Sequence, residues 1–146
     1  MTGMVLDSHL YIEAYRHPAA REALSVFLDR WGARLWVSAV VELELLSGSR
    51  SPGEADRLRT GFVSPWEAAG RLEAPSAADW RTAASVQATL ARRGDIQLRT
   101  TPKSFTNDTL IASWAARRGF TVVSSNLRDF DRIRAVLPFS LVEPWP

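Results

Sequence analysis

Residues 107–130 read NDTLIASWAARRGFTVVSSNLRDF, and the order of patterns inside them decides the fold class. Asp108, Ile111, Ala112 and Ala115 fall on one face at helical spacing, so 107–118 is expected as a helix that packs closely along that face. Gly119 stands where a helix C-cap glycine belongs. The apolar run 120–123 then suits a short strand buried on both faces. After it come Ser124, Asn126, Asp129 and Asp131, leading into a short helix toward Ile133. Helix, strand, acidic loop and helix in that order are the unit of an alternating α/β chain.

The same alternation continues outward in both directions. Residues 4–6, 35–37 and 139–142 are short continuous apolar runs, expected as further strands buried on both faces. Helical patterns fill 8–16, 19–31, 39–47, 53–69 and 77–93, punctuated by Pro18, Gly32, Gly48, Pro52, Pro75 and Gly94. Ser76 and Asp79 have the spacing of a capping box, with Asp in place of Glu. A parallel return needs a crossover, and helices are the usual crossover. The expected fold is therefore a three-layer α/β/α domain with a central, mainly parallel sheet of four or five strands. No repeat or Gly/Ser linker divides the chain, so residues 1–146 are expected to form one domain.

Composition narrows the chemistry. The chain has 146 residues, 46% hydrophobic and 23% charged, enough to bury a real core. It has no cysteine, which excludes disulfides, zinc-thiolate sites and thiol catalysis. No apolar run approaches the roughly 20 residues of a membrane helix, and MTGMVLDSHL lacks the pattern of a secretory leader. A cytoplasmic protein with no membrane contact is the expectation. Formal charge is +2, and Lys103 is the one lysine among 18 basic residues. Arginine suits phosphate through its planar fork, but coding bias accounts for the composition equally well.

Four acids stand at positions that matter in such a fold, where ligands gather beyond the carboxyl ends of strands. Asp7 follows the strand 4–6 directly, although an N-cap for the next helix explains it too. Glu44 falls between Val40 and Val41 on the helix wheel, with Gly48 one turn later, whereas Glu42 projects roughly 160° away. A carboxylate on an apolar stripe needs a cation or a hydrogen-bond network, and a buried arginine is the competing structural explanation. Asp108 opens its helix and points along the packed face, while one of Thr106, Asn107 and Asp108 is expected to cap. Asp129 and Asp131 follow the strand 120–123, and either suits the cap of a short helix. Together these acids come from strand ends and helix starts that a doubly wound sheet brings to one edge. Clustered carboxylates repel unless divalent cations join them, and an all-oxygen site favours Mg2+ or Mn2+ over zinc. Hydrolysis of a phosphodiester by metal-activated water is the chemistry such a cluster supports.

These residues resemble the PIN-domain family over nearly the whole chain, and within it the VapC toxins. VLDSHLYI is similar to the family's opening strand and first aspartate, which implies a metal-binding role for Asp7. WVSAVVELELLSG resembles the second motif, a strand and a helix carrying Glu-Leu-x-x-Gly, and Glu44 fits that spacing where Glu42 does not. NDTLIASWAARRGFTVVSSNLRDF resembles the third and fourth motifs, which implies that Asp108 is the third acid. Asn126 stands where many relatives carry Asp, so Asp129 is taken as the fourth acid, with Asn126 and Ser124 assisting. GDIQLRTTPKSF is a longer loop before Asn107 than the compact pattern, and is expected to shape substrate access. The resemblance implies a ribonuclease toxin that uses Mg2+ or Mn2+ on an RNA substrate, forms a homodimer and is neutralised by a VapB-type antitoxin.

Other features are read as structural. Trp36 and Trp114 are expected in the core, while Trp31, Trp66, Trp80 and Trp145 are candidates for a dimer or antitoxin surface. His9 and His17 lack a repeated ligand spacing and are taken as surface residues. Arg92, Arg93, Arg99 and Lys103 are read as solvated rather than as phosphate contacts. An aspartyl-phosphate phosphatase would want an acid two residues after Asp7, where His9 stands, and a receiver domain would want a further acidic pair. The remaining alternative is a catalytically degenerate PIN fold that only binds RNA or protein, against which the retained Asp7, Glu44 and Asp108 argue.

Overall fold

The computed structural model describes residues 2–145. Five parallel strands form one sheet in the order β3-β2-β1-β4-β5: β1 (Met4–Leu6), β2 (Leu35–Ser38), β3 (Leu72–Glu73), β4 (Thr121–Val123) and β5 (Ser140–Val142). Eight α-helices connect them: α1 (Ser8–Arg16), α2 (Pro18–Trp31), α3 (Ala39–Ser47), α4 (Pro52–Phe62), α5 (Ser64–Ala68), α6 (Ala77–Arg92), α7 (Lys103–Arg118) and α8 (Leu127–Arg134). The chain winds outward from β1 to β3 and then returns to β4 and β5. Crossovers between parallel strands are right-handed as a rule, so that such a reversal gives two helical layers. Contacts between helices fall accordingly into the sets α1 to α5 and α6 to α8, with α3 and α7 also touching.

The sheet centre carries the core. Val5 and Leu6 of β1, Leu35 of β2, and Val122 and Val123 of β4 are fully buried, as in strands covered on both faces. Each such aliphatic side chain contributes about 1.5–3 kcal/mol by leaving water. Trp114 of α7 is fully buried and meets Phe120 edge to face at 5.3 Å, and Trp36 is half-buried against the same ring. Gly3 precedes β1 under Phe120, where an added Cβ would lie 2.7 Å from the ring. Gly119 closes α7 in the left-handed conformation at φ 70°, as the sequence led us to expect.

Several boundaries differ from the sequence expectation for identifiable reasons. β3 is two residues long and too short to register as an apolar run. β5 is an edge strand with Ser140 and Val142 exposed, so it is not buried on both faces. The single helix expected over 53–69 breaks at Val63, because Pro65 has no amide hydrogen to continue it. α7 starts at Lys103, four residues before the expected position, behind Pro102. Among the tryptophans, Trp31, Trp66 and Trp145 pack half-buried against the core, and Trp80 is 56% exposed.

Asp79 ties the second helical layer together. It completes the capping box, accepting from the Ser76 amide at 2.8 Å while Ser76 Oγ accepts from its own amide at 3.2 Å. The same carboxylate receives Arg117 Nε at 2.7 Å and Nη2 at 2.9 Å from α7. Burial opposes its ionisation, yet the Arg117 and Ser76 hydrogen bonds outweigh burial and hold the carboxyl below its ordinary range. Replacing Arg117 with alanine strands a buried carboxylate, so Arg117→Ala is expected to cost about 2 kcal/mol in urea unfolding. A loss below about 0.5 kcal/mol, the scale of a surface substitution, would contradict that account.

Candidate metal centre

Asp7 sits at the point where the winding of the sheet reverses, between the carboxyl ends of β1 and β4. Its backbone amide donates to the Val123 carbonyl at 3.0 Å, which carries the chain one residue past β1 alongside β4. Although Asp7 holds the N-cap position of α1, its side chain makes no capping hydrogen bond. Oδ2 instead accepts from Ser124 Oγ at 2.9 Å, across the gap to β4. The capping explanation therefore fails, and the carboxylate turns toward the crevice where ligands of such sheets bind.

Glu44 arrives from α3. Ser38 caps that helix by accepting from the Val40 amide at 3.1 Å, and Val40, Val41 and Leu45 bury its inner face. Glu44 on this face accepts from Ser8 Oγ at 3.2 Å. Among the described residues no arginine or lysine pairs with it, so the buried-arginine explanation also falls. Asp108 lies inside α7 because that helix begins early, and none of Thr106, Asn107 and Asp108 caps it. Its neighbours Thr109 to Ala115 are all buried, which fixes the direction of the side chain.

The three acids meet. Asp7, Glu44 and Asp108 each offer a carboxylate oxygen within 4.8 Å of the others, with Asp7 5% and Asp108 3% exposed. Burial raises the Asp7 carboxyl above its ordinary value, against the lowering pull of Ser124, Ser8 and His9. Burial and then the Asp7 charge raise Glu44, with hydrogen bonds from Asn107 and Ser8 opposing. Asp108 is pushed furthest, to about 9, by burial and by the charges of Asp7, Glu44 and Asp129. A cluster so strained toward protonation is a site that lacks positive charge.

Asp129 and Asn126 occupy a second rank. Asp129 does not join the group of three, but Asn126 Nδ2 donates both to Asp108 at 3.1 Å and to Asp129 at 3.2 Å. The amide nitrogen, rather than the oxygen, faces the acids. The Asn126 backbone amide in turn donates to Ser124 Oγ at 2.9 Å, so one short loop orients Asp7, Asp108 and Asp129 together. Asp131 points away to Arg134 at 2.7 Å. Ser8, Asn107 and His9 are contributors that the sequence reading passed over. His9 is exposed as expected, yet it borders the crevice, and its place two residues after Asp7 was the available signal. His17 is exposed on the surface, and Arg92, Arg93, Arg99 and Lys103 are exposed.

The PIN-domain family matches residues 4–136. The chain belongs to the PIN-domain family. Solved relatives agree over the full length. A chain of the DNA-bound VapBC complex of Salmonella typhimurium is 25% identical, with a TM-score of 0.74 over 99% of each chain. A chain of DNA-bound VapBC2 from Rickettsia felis is 20% identical, with a TM-score of 0.67 over 98% of each. A chain of FitAcB from Neisseria gonorrhoeae is 19% identical, with a TM-score of 0.70 over 97% of this chain and 98% of that one. The latter two show the shared fold. No curated protein matches the chain in sequence.

In this PIN domain the donor set itself indicates what would fit. Three hard carboxylate oxygens, with neither cysteine nor histidine among them, suit a small divalent cation of the magnesium type. Raised carboxyl pKa values also have a thermodynamic sign. The stability associated with the neutral acids is fully present below the unfolded carboxylate range near about 4 and is lost as pH rises toward the folded values. In EDTA the melting temperature should therefore fall between pH 5 and the Asp108 value of about 9. Asp108→Asn should flatten that fall and raise Tm at pH 8 by about 3 °C or more, the shift of roughly 1 kcal/mol in a domain of this size. Glu44→Gln should likewise preserve or raise Tm in EDTA. A Tm independent of pH, or a large loss in either variant, would contradict the account of repelling acids.

Proposed function

We propose that the chain is a ribonuclease toxin, a single domain over residues 1–146 that hydrolyses RNA phosphodiester bonds with Mg2+ or Mn2+. The observation that carries this reading is the meeting of Asp7, Glu44 and Asp108 within 4.8 Å, with Asp7 and Asp108 buried, Glu44 half-buried and no pairing arginine or lysine among the described residues. Membership of the PIN-domain family supports nuclease chemistry. Asp7, Glu44 and Asp108 are the residues that would hold the cation. A bound Mg2+ or Mn2+ supplies charge for the phosphate and a more acidic water.

The chain's own side chains supply position. Ser124 holds Asp7, Ser8 holds Glu44, and the Asn126 amide holds Asp108 and Asp129 in one frame. Asp129 serves as the fourth acid at the rim, with Asn126 as its link to the other three. Water adds to phosphorus, the bond from phosphorus to the leaving ribose oxygen breaks, and that oxygen takes up a proton. Fixing acids and substrate in advance removes the entropy cost of assembling them.

Similarity to a chain of a VapBC complex supports a toxin that pairs with a VapB-type antitoxin. The family resemblance implies in addition that the antitoxin covers the acidic crevice and that the toxin forms a homodimer. Among the described residues no helix is long and apolar enough to cross a membrane, in keeping with a cytoplasmic site of action. Purified protein should cut RNA in Mg2+ or Mn2+ and stop in EDTA. Asp7→Asn and Asp108→Asn should each lower the rate by about 100-fold or more while circular dichroism stays native, as for loss of a group acting on the reacting phosphate. Cutting that survives EDTA, or full activity in both variants, would overturn the proposal.

A further inference from the structure

The loop between α6 and α7 takes no part in the acidic cluster, yet it walls a cavity of about 350 Å3 beside it. Residues 94–97 and 100–102 with Phe105 form one side, and Arg128, Asp129 and Arg132 of α8 form the other. Asp129 belongs to both places. It lines this cavity and takes a hydrogen bond from the Asn126 nitrogen that also donates to Asp108. One amide thus separates the cavity from the candidate metal centre.

The chemistry of the walls is that of a nucleotide. Arg132 lies over the buried Phe105 ring at 5.1 Å from its centroid, pinned by Asp129 and by the Asp95 carbonyl. A guanidinium fixed in this way is a flat surface on which an unpaired base stacks. Gln97 and Thr100, both exposed, bring amide and hydroxyl groups that suit base edges. Arg128 is exposed and, among the described residues, has neither a hydrogen-bond nor an ion-pair partner. Its fork remains available for a phosphate. Of the two acids here, Asp129 is already paired with Arg132, and Asp95 stands on the opposite wall. The volume lies at the small end of ligand cavities, fitting one nucleotide and not a duplex.

The geometry points to this cavity as a subsite for one unpaired nucleotide of the RNA, adjacent to the phosphodiester that is cut. The base rests on the outer face of the Arg132 guanidinium, which Phe105 backs from beneath, Gln97 reads its edge, and Arg128 holds its phosphate. The identity of the ligand as RNA rests on the nuclease reading above. It also gives the long loop a role in setting sequence preference.

The test is binding of a labelled single-stranded RNA to the Asp7→Asn protein in Mg2+ across a salt series. Adding Arg128→Ala should weaken binding about tenfold, the effect of one charged hydrogen-bonded contact, and lower the slope of log affinity against log salt by about 0.7. Gln97→Ala should leave that slope unchanged and level the affinities of oligonucleotides that differ at one base. An Arg128→Ala protein with unaltered affinity and slope overturns the subsite, even where wild-type protein cuts RNA. Conversely, RNA that binds through Arg128 but is never cut by wild-type protein in Mg2+ or Mn2+ removes the nuclease reading and leaves the subsite standing.

Discussion

Electrostatic repulsion among three carboxylates within 4.8 Å of one another is the constraint around which this chain is arranged. Such a group does not assemble by its own attraction, so the scaffold must hold it. A parallel sheet buried on both faces is well suited to do so, because its central strands are fixed by packing on either side. The acids come from three separate elements: the end of β1, the inner face of α3 and the packed face of α7. Each direction is set by apolar neighbours, and the destabilising charge is confined to one rim of an otherwise apolar core.

The partners chosen for these acids are neutral. Ser124, Ser8 and Asn126 each satisfy one or two carboxyl oxygens and fix orientation, yet bring no positive charge. Asp79 shows the contrasting solution in the same molecule. It too has almost no exposed surface, but it lies less deep in the protein and is paired with Arg117, and its carboxyl is lowered instead of raised. The chain therefore contains the means to neutralise a buried acid and does not use it at the crevice. Charge left uncompensated there is available to an incoming divalent cation, whose binding would be linked to the stability of the fold.

Much of this was legible in the sequence. Residues 4–6 and 39–47 follow the expected boundaries, and Gly119 and the Ser76–Asp79 box act as their patterns indicate. The convergence of Asp7, Glu44 and Asp108 was also legible, because strand ends and helix phase determine where a side chain points. What escaped depends on tertiary context. Asp108 was expected near a helix start, but Pro102 moves that start upstream and leaves the acid inside α7. Asp129 was grouped with the other acids by proximity in the motif, whereas the fold reaches it through the Asn126 amide. β3 and the exposed faces of β5 are consequences of pairing at sheet edges, which a two- or three-residue pattern does not encode.

The most direct measurement is anomalous diffraction from crystals of the unsubstituted chain soaked in Mn2+. The account predicts a strong peak in contact with carboxylate oxygens of Asp7, Glu44 and Asp108, with Asn126 still bridging toward Asp129. Crystals in which those three side chains stand apart, or in which an arginine occupies the space between them and manganese does not bind, would contradict it.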